Sequence, residues 1–376
     1  MRLTNNQKAF LGLVQAGLWE KSVRLSTFGN VDFEEIYSLS AQQAVLGLVV
    51  AGLEKVVDVN IPKSFVLIIT RDILQIERRN LAMNEFLARL IEKLRKADIY
   101  ALLIKGQGIA QCYERPLWRS CGDVDLFLNS GNYIKALEFL TPLSSHIGKV
   151  DDYKQHVPMS IDGWEVELHG TMRSSLWKGI DKQLDAVQHN VFCGGNVRSW
   201  MNGETQVFLP GVGENVVFVF VHILQHFFRE GIGLRQICDW CRLLWTHQEY
   251  VNRRVLGNRL QKMGLMSEWI AFASLAVNYL GMPAEAMPFY CIGDKWSRKA
   301  RRIMLAVLEQ GNFGHNYDRS GLKDERVFIR KVKTLKFLTR NSIRIMTIFP
   351  KESIKSWLYL FYTRMKLTIK DFKFRK

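Results

Sequence analysis

The chain has 376 residues, 48% of them hydrophobic, which is enough for two packed units with real cores and a tail. Its net charge is +16, but residues 326–376 hold 15 Lys and Arg against two acids, so this tail carries +13 and the body is nearly neutral. The six cysteines lack the spacing of a secreted disulfide framework, and no apolar run is suited to span a bilayer. We therefore expect a cytoplasmic protein without a transmembrane segment.

Residues 1–97 repeat apolar side chains at the spacing of a helix. Phe10, Val14 and Leu18 follow each other at intervals of four residues, and Phe86 and Leu90 do the same further along. This period places the apolar side chains on one face of a helix. The first quarter of the chain is thus predicted to be an N-terminal helical region.

Residues 98–210 change to apolar runs of strand length. Segments 100–104 and 124–128 are such runs, and a glycine-containing turn with a short helix lies between them. A helix over 132–143 follows Asn129 and Ser130, which are typical caps, and residues 164–169 alternate as a further strand. The pattern predicts an α+β fold, in which a mixed-sheet core is flanked by helical regions on both sides.

The helical period returns in residues 211–325, where Val217, Phe220, Val221 and Leu224 form one stripe. Beyond it, residues 326–376 interleave aromatic side chains with lysine and arginine. This basic aromatic tail has two interpretations: a segment that binds an anionic membrane surface or a nucleic acid, or a basic helix that packs against the body. The first interpretation would make the protein peripheral at a membrane.

Two pairs of acids carry the strongest chemical signal. Asp123 and Asp125 flank one apolar residue of a predicted strand, so both carboxylates project from the same face and favour binding of a cation. Glu165 and Glu167 repeat this spacing on a later strand, and either can supply a third oxygen ligand, with Glu167 preferred. Three carboxylates of this kind can hold two divalent ions that clamp a triphosphate.

The segment Lys105-Gly106-Gln107 ends one predicted strand and opens a helix. Backbone N–H groups at a helix start can hold phosphate, Lys105 adds a positive charge, and Gly106 permits close approach. His169 lies on the same face as Glu167, and Arg235 is a candidate phosphate contact from the later helical region.

The run LLIKGQGIAQCYERPLWRSCGDVDLFL at 102–128, followed by WEVELH at 164–169, resembles the uncharacterised bacterial nucleotidyltransferases of the DNA polymerase β-like superfamily. The resemblance implies a polymerase β-like fold with Asp123, Asp125 and Glu167 as catalytic metal ligands. It also implies a phosphate loop at Lys105-Gly106 and a basic position at Arg119, which we expect to bind the nucleotide. Gln107 stands where polymerases carry serine or glycine, and the Lys-Gly form also resembles the nucleotidyltransferase toxins of bacterial toxin–antitoxin pairs.

From these features we expect transfer of a nucleoside monophosphate from an NTP, with ATP the expected nucleotide, to an unidentified hydroxyl acceptor. The expected cofactor is a pair of Mg²⁺ ions, or Mn²⁺ in their place. One alternative is a non-catalytic nucleotide- or nucleic-acid-binding protein with a vestigial acidic pair. Another is a zinc hydrolase that uses His222, His226 and Asp239. Cys238 and Cys241 are predicted core residues.

Overall fold

The structure is a computed structural model that describes residues 2–312 and 339–359. Its helices are α1 (Asn5–Trp19), α2 (Phe33–Gln42), α3 (Leu46–Leu53), α4 (Lys63–Lys96), α5 (Gly106–Ala110), α6 (Ser130–Leu140), α7 (Lys178–Phe192), α8 (Val212–Arg229), α9 (Leu234–Thr246), α10 (Arg253–Met263), α11 (Met266–Leu280) and α12 (Asp294–Gln310). Residues 339–346 and 350–359 are helical as well. The strands are β1 (Leu102–Ile104), β2 (Val124–Phe127), β3 (His146–Ile147), β4 (His156–Ile161), β5 (Trp164–His169), β6 (Val197–Asn202) and β7 (Thr205–Pro210).

The seven strands form one mixed sheet in the order β3-β4-β5-β2-β1-β7-β6. Strands β2 and β5 are parallel, as are β1 and β7, and the other neighbours are antiparallel. The prediction of an α+β fold with a mixed sheet is confirmed, and β5 has the predicted bounds. Strands β3, β4, β6 and β7 and helix α7 were not among the predicted elements.

Side-chain alternation gives the sheet two different faces. Leu103 and Leu126 point into a core that is completed by the second half of α4, whereas Ile104 and Phe127 point into a larger helical core. Asp125 lies two residues before Phe127 in the same strand, so it belongs to the second face. The Asp125 side chain therefore faces the helical side of the sheet.

The N-terminal and C-terminal helical regions share that larger core. The Gln15 side chain of α1 donates to the carbonyl of Tyr279, and the Trp19 indole donates to the carbonyl of Leu280, both at the end of α11. Apolar residues of α1, α3, α8, α9, α11 and α12 belong to the same buried cluster. The two predicted flanking regions thus pack on each other as well as on the sheet.

Helix α4 connects the two cores. It is 34 residues long, and its early residues Phe65 and Ile69 lie in the helical core, whereas Phe86 and Leu90 lie in the core on the other face of the sheet. Between them, the buried Asn80 side chain donates to the backbone carbonyls of Leu117 and Arg119. The loop before the acidic pair is therefore anchored to the middle of this helix.

The described part of the basic tail packs against the body. Ile345, Ile348 and Phe349 are buried in the helical core, and the Phe349 ring lies 6.2 Å from that of Phe228. The Asn341 side chain donates to the carbonyl of Arg229 at 3.0 Å. Residues 339–359 of the tail therefore pack against the body, as the second interpretation predicts. The rest of the tail, for which membrane or nucleic-acid binding was the other interpretation, lies outside the described residues. No helix of the described chain is long and apolar enough to cross a membrane.

Candidate active site

Three carboxylates meet on the helical face of the sheet. Asp125 lies in β2 and pairs directly with Glu167 of the parallel strand β5, so their side chains project side by side. Asp123 is one residue before β2, and carboxylate oxygens of Asp123, Asp125 and Glu167 all lie within 4.8 Å of one another. The three acids predicted as catalytic and metal-binding residues are thus brought together by the fold.

Lys105 approaches this group from the end of β1. Its backbone has a φ of 58° and that of Gly106 a φ of 46°, so two successive residues in the left-handed region turn the chain sharply into α5. The Lys105 Nζ lies 2.7 Å from Asp125 Oδ1. Burial opposes the lysine charge, but the carboxylates of Asp125, Asp123 and Glu167 outweigh it and raise the pKa of Lys105.

The acidic group keeps an excess of negative charge in spite of Lys105. The Asp125 carboxylate, with burial as a second cause, raises the pKa of Asp123 to about 6. A carboxyl whose pKa rises for this reason lies near another carboxylate that is not fully compensated. The arrangement favours a bound cation, and its hard oxygen donors suit Mg²⁺ or Mn²⁺.

Two histidines support the acids from the same face of the sheet. His169 Nε2 lies 2.9 Å from Asp125 Oδ1, and His156 Nε2 lies 3.0 Å from Glu167 Oε2. Burial opposes ionisation of Glu167, but hydrogen bonds with the two imidazoles outweigh it and hold the pKa of Glu167 well below its usual value. His156 was missed by the sequence analysis because β4 was not predicted; the segment HVPMSI does alternate, but Pro158 interrupts it as a strand signal.

The opposite wall of the site is formed by α8 and α9. There Arg119 and Asp239 form a buried bidentate ion pair, with Nε–Oδ1 and Nη2–Oδ2 distances of 2.8 and 2.7 Å. Tyr113 donates to the same Asp239 Oδ1, and Arg235 donates to the carbonyl of Ser120 at 2.9 Å. Both arginines predicted to bind nucleotide therefore hold the loop that leads to Asp123, and they also line the cavity beside it.

Two further predicted residues point elsewhere. Gln107 is buried, its side chain donates to the side-chain oxygens of Asn80 and Asn84 on α4, and it is not among the residues that line the cavity. Glu165 lies on β5 opposite Ser160 and is exposed, outside the acidic group. Of the two glutamates considered as third ligand, the fold places Glu167 beside the aspartates.

Two adjoining cavities open on the acidic group. The first has a volume of about 270 Å³ and includes Lys105, Gly106, Asp123 and Asp125 in its lining. The second, of about 170 Å³, includes Lys154 and several polar side chains. The two cavities share a wall made by Lys105, Glu167, His222 and His226.

The whole arrangement lies inside residues 29–281, which match the model of a family described as uncharacterised nucleotidyltransferases. The chain belongs to this family. No curated protein and no solved structure matches the chain. The match supports nucleotidyl transfer as the general activity, and it includes both walls of the cavity.

The alternative zinc site at His222, His226 and Asp239 is not supported by the positions of these side chains. Both Asp239 oxygens are bound by Arg119, and the rings of His222 and His226 are in T-shaped contact with centroids 4.5 Å apart. Within the described residues, this trio is not among the groups of side chains close enough to hold a metal ion. Cys238 and Cys241 are fully buried, which confirms them as core residues.

Proposed function

We propose that this chain transfers a nucleoside monophosphate from an NTP to a hydroxyl acceptor and releases pyrophosphate. The observation that carries the proposal is the convergence of Asp123, Asp125 and Glu167 beside Lys105 in one cavity. The family supports nucleotidyl transfer in general, and this oxygen-rich donor set supports a divalent metal as the cofactor.

The three carboxylates would hold two Mg²⁺ ions, or Mn²⁺ in their place. When bound, such ions neutralise the phosphates, orient the attacking hydroxyl and stabilise the charge that develops on the leaving group. The orientation of the Asp125 carboxylate is fixed, because Lys105 and His169 both contact its Oδ1 oxygen. Asp123 is partly exposed, whereas Asp125 is buried.

Lys105 would contact a phosphate of the NTP. Its Nζ is already on the cavity side of the acidic group, and the pKa of this side chain lies above its usual value, so it keeps its charge at neutral pH. Gly106 brings the backbone close to the acids: a Cβ atom there would lie 3.5 Å from the carbonyl oxygen of Asp123. We propose ATP as the nucleotide.

The acceptor would reach the reaction from the second cavity. In-line displacement needs the attacking hydroxyl and the departing pyrophosphate on opposite sides of the phosphorus. Two cavities that meet at Lys105 and Glu167 would give the NTP and the acceptor separate entrances to the acidic group. Arg119 and Arg235 act in this proposal as positioning residues, because they hold the loop that carries Asp123.

The test is transfer of label from α-labelled NTPs to components of a cell extract, together with release of pyrophosphate, in the presence and absence of Mg²⁺. Glu167→Gln should abolish both signals, since it removes the charge of a ligand. Glu165→Gln is the matched control, because it makes the same chemical change two residues away on an exposed position of β5, and it should retain activity. NTP binding without pyrophosphate release in the wild type would instead support a non-catalytic nucleotide-binding protein.

A further inference from the structure

A second group of potential metal ligands lies beside the acidic one and differs from it in chemistry. His156 of β4 pairs with His169 of the antiparallel strand β5, and Pro158 pairs with Glu167 in the same register. His156, Glu167 and His169 therefore project from one face of the sheet, and their ligand atoms lie within 4.8 Å of one another. This group contains two imidazoles and one carboxylate.

The spacing of these atoms fits tetrahedral coordination. Glu167 Oε2 lies 3.0 Å from His156 Nε2 and 3.4 Å from His169 Nε2. Ligands bound to zinc at about 2.0–2.1 Å in a tetrahedron are separated by about 3.3–3.4 Å. Both observed distances lie close to this edge length, so a central ion would require only small shifts of the side chains. The ion would replace the hydrogen bond that His169 Nε2 makes with Asp125 Oδ1.

The group also has room for a further ligand. All three side chains line the second cavity, of about 170 Å³, but only Glu167 lines the first one. Catalytic zinc sites typically use three protein ligands, two histidines and a glutamate among the known sets, and leave the fourth position for water or substrate. An ion at His156, Glu167 and His169 would present that position to the cavity assigned above to the acceptor.

We propose that His156, Glu167 and His169 form a separate site for a nitrogen-preferring divalent ion of the zinc class, with Glu167 shared with the acidic group. Imidazole favours Zn²⁺ and Co²⁺, whereas the carboxylates of Asp123 and Asp125 favour Mg²⁺. A carboxylate has two oxygens and can bridge two cations, and Oε2 is the oxygen that contacts both histidines. The site would bind an anionic or hydroxyl group of the acceptor at its open position.

The experiment is titration of the full chain with Co²⁺ in excess Mg²⁺, followed by visible absorption and by measurement of the metal retained after gel filtration. The wild type should bind one equivalent and show the intense bands of tetrahedral Co²⁺. Loss of outer-shell partners alone weakens metal sites by about 10–100-fold, so loss of a ligand in His156→Gln should weaken Co²⁺ binding by at least about a hundredfold. His156→Cys should restore binding and add a thiolate-to-cobalt charge-transfer band, which a structural role of His156 would not produce.

Two control variants separate this site from the acidic one. Asp123→Asn alters the Mg²⁺ ligands and should leave the cobalt spectrum unchanged, and His189→Gln changes an exposed histidine of α7 and should have no effect. Cobalt bands that persist in His156→Gln, or that vanish in Asp123→Asn, would overturn the proposal. The cobalt result does not depend on turnover, so failure of nucleotidyl transfer and failure of this site can be told apart.

Discussion

The two walls of the cavity hold their charges in opposite ways. On the sheet wall, the like charges of Asp123, Asp125 and Glu167 lie close together. The repulsion from Asp125 raises the pKa of Asp123. On the helical wall, Arg119 and Asp239 are of opposite sign and form a bidentate pair that is about as buried as Asp125. The like charges of the sheet wall favour the binding of a cation, whereas the opposite charges of the helical wall hold two segments of the chain together.

The largest expected effect concerns the helical wall. Asp239→Asn keeps the shape of the side chain but leaves the Arg119 guanidinium buried without its counter-charge. Removal of one partner from a buried pair costs about 3–5 kcal/mol, so the free energy of unfolding should fall by this amount in urea titrations. The double variant Arg119→Met with Asp239→Leu should recover much of the loss. If Asp239→Asn were as stable as the wild type, the Arg119–Asp239 pair would not hold the helical wall together, and the contrast between the two walls would be wrong.

The second effect concerns turnover at the sheet wall. Asp123→Asn should lower the rate of pyrophosphate release by at least about a hundredfold, because stabilisation of transition-state charge by metal is worth several kcal/mol. Asp123 is preferable to Asp125 for this test, since Asp125→Asn would also break the ion pair with Lys105. Mg²⁺ should raise the melting temperature of the wild type more than that of the variant. If Asp123→Asn released pyrophosphate at the wild-type rate, Asp123 would not be an active-site residue.

Lys105→Ala should have a smaller effect, on nucleotide affinity. The variant loses the charge that we propose contacts a phosphate of the NTP. We therefore expect the Kd for an unreactive NTP analogue to rise about tenfold, which corresponds to about 1.4 kcal/mol. Isothermal titration with and without Mg²⁺ measures it. An unchanged Kd would mean that Lys105 serves only to neutralise Asp125, which would make the sheet wall resemble the helical one.

The smallest expected effect is a pH dependence of stability without metal. Because Asp123 has a folded pKa of about 6 against an ordinary value of 3.8, the folded protein holds a proton between these values that the unfolded chain has lost. The free energy of unfolding should therefore fall as the pH rises from about 4 to 6. We expect this decrease to be about 1 kcal/mol, because Asp123 is partly exposed and solvent screens its interactions. In Asp123→Asn this contribution should disappear, and identical pH profiles for both proteins would contradict the electrostatic argument.

The parts of the site that alternate within one strand could be predicted from the sequence. Asp125 and Glu167 lie in short strands whose apolar neighbours repeat every second residue, and this pattern fixes which face they share. Alternation places Glu165 and Glu167 on the same face, so it could not choose between them, and the preference for Glu167 came from the family resemblance.

Other parts depend on contacts between distant segments, which local patterns do not contain. The partner of Arg119 is 120 residues away along the chain, so nothing near Arg119 indicated that its guanidinium is already paired. Gln107 follows Gly106 of the predicted phosphate loop, but the turn into α5 directs its side chain to α4. His156 is brought to the site by β4, which contains a proline. Because proline disfavours the prediction of a strand, neither β4 nor His156 was predicted.

Helix α4 has a consequence for how the length of this chain can vary. It presents Phe65 and Ile69 to one core and Phe86 and Leu90 to the other, with Asn80 fixed between them to the loop before the acidic pair. One residue inserted between Ile69 and Asn80 would rotate one half of the helix by about 100° and move it by about 1.5 Å relative to the other half. Both cores and the loop would then lose their common alignment, so insertions and deletions should be far more damaging in this stretch than substitutions of its exposed residues.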